Sequence, residues 1–128
     1  MRLRILAVAL FCSVLLAQEG HPMKGTWHGN FGANEKDRTP ITLVMDWDGK
    51  NVTGIMNPGL RVAKIEKASL DPSNWMFHFE ADYKDRAGTT SHLVVDAKIK
   101  DVTNPRRQLV GTFTQGTLKG DFKAARDN

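Results

Sequence analysis

His78 and His92 are the residues with the clearest case for chemistry. Asn74 to Tyr83 alternates strictly, with Trp75, Phe77, Phe79, Ala81 and Tyr83 on one parity and Met76, His78, Glu80 and Asp82 on the other. Ser91 to Lys100 alternates too, with Leu93, Val95, Ala97 and Ile99 inward. If the loop from Lys84 to Thr90 closes a simple hairpin, His78 lies opposite Asp96 and His92 opposite Asp82 on the outer face. A histidine beside a carboxylate can ligate zinc or act as a base with its orienting partner. The plainer account is that opposite charges pair across strands, for about 0.2–1 kcal/mol each. No His-x-x-x-His or Cys-x-x-Cys spacing supports a preformed site, so no metal is assigned and His78, His92, Asp82 and Asp96 stand only as its candidates. His21 and His28 lie apart, near the start of the domain.

Other chemistry finds less. Asp46-x-Asp48-Gly49 has carboxylate spacing that suggests calcium, but later ligands are missing and Lys50 sits where a third oxygen belongs. A hairpin turn explains it better. There is no Gly-x-Ser-x-Gly. The sole cysteine, Cys12, falls in the leader described below. By parity the inner face carries almost no ionisable group, so an enzyme is not expected, and neither is a cofactor.

The better candidates for ligand contact are aromatic. Trp47 ends an alternating run beside Asp48-Gly49, which puts it at a mouth; Tyr83, Trp27 and Trp75 share inner faces, where Trp27 and Trp75 also read simply as core. Arg61, Arg106 and Arg107 lie near turns, where solvated loops account for them.

The elements that must hold these residues follow from alternation and turns. Residues 1–17 read as a secretory signal peptide: Arg2 and Arg4, an apolar run from Ile5 to Leu16, and a small residue, Ala17, at the cleavage point. Removing it leaves 111 of 128 residues and lowers the formal charge from +4 to +2, so the basic balance gives no reason to expect a nucleic-acid partner. Residues 18–24 read as a linker and 25–128 as one domain. Asn51-Val52-Thr53 matches a glycosylation acceptor.

Within the domain, Trp27, Gly29 and Phe31 form a first inner face. Ile41 to Trp47 and Lys50 to Met56 flank Asp48-Gly49, and a two-residue loop there pairs Trp47 with Lys50, Met45 with Val52 and Leu43 with Gly54. Asn57-Pro58-Gly59 and Asp71-Pro72-Ser73 are turns. Leu60 to Leu70 needs a bulge near Ala63 or Lys64. A Gln115-Gly116 turn pairs Phe113 with Leu118 and Leu109 with Phe122. Inward glycines at 29, 54, 111 and 120 suggest sharp coiling or room for a neighbouring ring. The fold class is all-β: an antiparallel up-and-down barrel of about eight strands, or a strongly coiled sandwich. Charged outer faces argue against a membrane-spanning barrel.

Gly25-Thr26-Trp27 near the domain start, followed by antiparallel hairpins, resembles the calycin-like barrels, lipocalins and the avidin group. In lipocalins that tryptophan closes one barrel end beneath a basic residue from the last strand, which the resemblance places at Arg126. The avidin group's inward polar residues are lacking, so biotin binding is not implied. The expectation is a secreted or periplasmic monomer that binds a small apolar ligand or a protein partner. The competing readings are an envelope-associated accessory protein with a filled core, and an unrecognised secreted hydrolase.

Overall fold

A computed structural model describes residues 21–57, 62–84 and 87–127. The leader over 1–17, the first residues of the linker, the Pro58-Gly59 turn and Arg61 lie outside them. The strands are β1 (Gly25–Gly32), β2 (Thr39–Trp47), β3 (Val52–Met56), β4 (Ala63–Asp71), β5 (Met76–Lys84), β6 (Thr90–Lys100), β7 (Gln108–Gln115) and β8 (Leu118–Arg126). Each pairs antiparallel with the next, and β8 returns to β1. The result is a closed up-and-down barrel, as the alternation predicts. No described helix is long and apolar enough to cross a membrane.

Inward parity fills the barrel. Trp27, Phe77, Phe79, Phe113 and Phe122 are fully or almost fully buried, and no polar or charged side chain among the described residues is buried with them. Phe31 packs edge-on to Phe113 at 4.9 Å, and Phe79 to Phe122 at 5.9 Å. The glycine question is settled by close approach of strands. A Cβ on Gly29 would lie 1.9 Å from the Lys123 carbonyl, and one on Gly111 would lie 2.1 Å from that of Asp96. Adjacent backbone takes the space, so the glycines permit tight coiling and leave no room for a ring.

The β5–β6 register is as expected, with Phe77 opposite Ala97 and Phe79 opposite Val95. Two hairpins differ by two residues. Leu43 pairs with Met56 and Trp47 with Val52, leaving a four-residue loop at 48–51. Asp48 closes it: its side chain accepts from the amides of Lys50 (2.8 Å) and Asn51 (2.6 Å). In β7–β8 the turn is Gly116-Thr117, so Phe113 faces Gly120 and Leu109 faces Ala124. Gly116 supplies the positive φ, 62°. Leu118 thereby passes the end of the core and is 47% exposed. Even shifts keep parity, so the same side chains face inward in either register. The β4 bulge sits between Glu66 and Ser69, with Lys67 at φ 51°, later than Ala63 or Lys64.

One end of the barrel is plugged. Residues 21–24, read from sequence as linker, turn so that Met23 is fully buried and its carbonyl accepts the Trp27 indole N–H at 2.9 Å. Arg126, paired with Trp27 across β1–β8, donates from Nε to the Lys24 carbonyl (2.6 Å) and from Nη1 to that of Pro105 (2.9 Å). Arg107 ties the carbonyls of Val102 and Pro22 in the same way.

Candidate functional site

Beside this plug a cleft of about 490 Å³ opens at the barrel mouth, lined by His21, Pro22, Trp47, Lys50, Asn51, Val52, Ala68, Ser69, Leu70, Pro72 and Trp75. Trp47 comes from the end of β2, Val52 from the start of β3, Ala68 from the β4 bulge, and Ser69 and Leu70 from β4 beyond it. The His21 ring stacks on Trp47 with centroids 4.3 Å apart and planes 18° apart. Burial, reinforced by nearby Arg107, lowers the His21 pKa and favours the neutral imidazole.

Trp75 reaches the cleft at a conformational cost. Its φ is 59°, a left-handed setting that bulky residues rarely adopt. Local sequence holds it there. The Asp71 carboxylate accepts from the Ser73 amide and hydroxyl, and Asn74 from the Met76 amide. The Trp75 amide donates to the Asp71 carbonyl (2.8 Å), and its own carbonyl accepts from Ile99 (2.9 Å). The aromatic strand therefore begins at Met76, and Trp75 leaves the inner row to sit half-buried at the mouth.

Of the aromatic residues singled out from sequence for ligand contact, Trp47 and Trp75 line this cleft. Trp27 is wholly buried, and Arg126 is engaged by carbonyls of the plug. Tyr83 lies at the opposite end, its hydroxyl donating to Gln115 at 2.8 Å. The sequence signal for Trp75 was its place after a turn, where strand parity need not hold. His21 gave no signal at all, because its role depends on a segment that reads as linker.

The histidine pairs form a larger network than alternation shows. His78 bonds to Asp96 through Nδ1 (2.7 Å) and to Glu80 through Nε2 (2.9 Å). His92 bonds to Asp82 through Nδ1 (2.6 Å) and to the other Glu80 oxygen through Nε2 (2.7 Å). Lys67 approaches Glu80 at 3.9 Å. An ionised carboxylate only accepts, so each imidazole satisfies both partners only when doubly protonated. Donation to Glu80 raises the His78 pKa most and donation to Asp82 the His92 pKa most, while the two histidines hold Glu80 down to about 2. Among the described residues, no group of three or more His, Cys, Asp or Glu is placed to hold a metal ion. The network reads as a proton-loaded clamp across β5 and β6.

Compared with protein-family models, curated proteins and solved structures, the chain matches none of them.

Proposed function

We propose that this protein is a secreted or periplasmic binding domain whose site is the Trp47–Trp75 cleft. The observation that carries the reading is Trp75 held at φ 59° in an apolar cleft. Strain of this kind, of order 1–3 kcal/mol, gathers at ligand clamps. Two tryptophans and the apolar surfaces of Val52, Leu70 and Pro72 supply area, while Lys50, Asn51 and Ser69 supply a polar rim. The filled interior directs ligand to the mouth. The pairing of Trp27 with Arg126 at a plugged end supports a calycin-like relationship of the kind Gly25-Thr26-Trp27 suggests.

The packed interior also favours a second reading, an accessory protein with no small-molecule site. Tryptophan emission and melting temperature, followed against a panel of apolar small molecules and apolar peptides, separate the two. A blue shift with a raised melting temperature supports the binding domain. No shift with any compound leaves the accessory role.

A further inference from the structure

The cleft lies where the sheet comes apart. Among the described residues, β3 and β4 pair at Ile55–Lys64 and Met56–Ala63 alone, whereas β2 and β3 pair along the whole length of β3. Antiparallel strands direct the backbone groups of successive residues to alternate sides. Asn57 donates to Thr42 and Asp48 to Asn51, so the odd-numbered residues of β3 are those bonded to β2. Val52 and Gly54 therefore turn their N–H and C=O toward β4, where Gly54 flanks the Ile55–Lys64 pair and gives its carbonyl to that ladder, while Val52 stands beyond the last pair and lines the cleft. Beyond the bulge, the Asp71 carbonyl is committed to Trp75 on the β5 side, and the alternation sends that of Leu70 toward β3. The walls of the cleft are thus apolar side chains on two strand edges that diverge.

A purely apolar ligand would cover those backbone groups without pairing them, at about 1–3 kcal/mol for each one left unsatisfied. An extended chain satisfies them. We propose that the cleft takes an extended peptide, paired through its backbone with Val52 and seating one apolar side chain among Trp47, Trp75 and Leu70. Lys50, the one lysine or arginine among the lining residues, favours an acidic residue beside that side chain. The inference rests on the mouth cleft being the binding site.

The test is an amide and indole chemical-shift titration of the labelled protein with acetyl-Glu-Thr-Leu-Thr-Val-amide and 2-naphthol. Two further peptides carry N-methyl groups, one on the threonine amides and one on the leucine and valine amides, so each blocks one edge. The parent peptide should shift the Val52 amide and the Trp47 and Trp75 indoles. One methylated form should lose affinity by about tenfold or more, the equivalent of roughly one backbone bond. If both methylated forms bind like the parent, backbone pairing is wrong although the site stands. If naphthol moves the indoles and the peptide does not, the ligand class is wrong and the site again stands. If no probe moves either indole, both readings fall.

Discussion

Arg126 donates to the carbonyl oxygen of Lys24 at 2.6 Å across 102 residues of chain. This bond joins the last strand to the segment that plugs the barrel, and it accounts for the glycine of Gly25-Thr26-Trp27. Gly25 has φ 130°, and a Cβ there would stand 2.6 Å from Arg126 Nε. Replacing Arg126 with Ala removes two charge-assisted bonds, one to the half-buried Lys24 carbonyl and one to the exposed Pro105 carbonyl. We expect a loss of about 1–3 kcal/mol in urea unfolding, with Met23 amide exchange accelerating more than that of Phe79.

Glycine substitutions should separate close approach from backbone conformation. Gly111→Ala places a methyl on the Asp96 carbonyl and should cost more than about 2 kcal/mol, because a strand must move. Gly49, at φ 94° with nothing within 4 Å of a built Cβ, should cost only about 1 kcal/mol when changed to Ala. Urea midpoints for the two variants check the order.

Stability should depend on pH through the clamp. A raised histidine pKa gives stability that is complete below about 6.5 and is lost as pH rises through the higher folded value. Glu80, lowered to about 2, gives stability that is present above about 4.5 and is lost on acidification. The clamp therefore contributes most between roughly pH 4.5 and 6.5. His21, with a lowered pKa, runs the opposite way. Charges facing the clamp are Glu66 and Lys67 from β4 and Asp96 and His92 from β6, while its β7 neighbours Thr112 and Thr114 are neutral. The wild-type urea midpoint at pH 5.5 should exceed that at pH 8.5 by more than it does in Glu80→Gln. Equal differences in the two proteins would show that the clamp is not coupled to folding.

Trp75→Asn should uncouple binding from folding. Asparagine tolerates the left-handed setting, so relief of strain offsets the lost ring contacts and stability should stay within about 1–2 kcal/mol. Binding of any apolar probe at the mouth should fall at least about tenfold, the result expected when an aromatic anchor is removed. Calorimetry and thermal melts together measure both.

Much of this architecture is legible in the sequence because parity is robust. Phe77, Phe79, Val95 and Leu109 are inward whatever the register, and a slip of two residues leaves them there. Register was readable where long alternating runs met, as at His78 and Asp96. It is not legible where a side chain chooses the turn, since Asp48 captures two amides and so begins the loop rather than occupying its centre. The cleft was half legible. Trp47 at a strand end pointed to a mouth, but the bulge at Lys67, the φ of Trp75 and the docking of His21 depend on how β3 and β4 part. No local pattern carries that information.

Asp127 donates to the Thr26 carbonyl at 2.8 Å, so the two ends of the barrel chain meet at one rim. A circular permutant is therefore within reach. A flexible linker from Asp127 back to the start of the plug, ahead of His21, would keep that segment, and new termini cut at Gly116-Thr117 would emerge at the far end. Any fluorescent fusion on those new termini would hang well clear of Trp47.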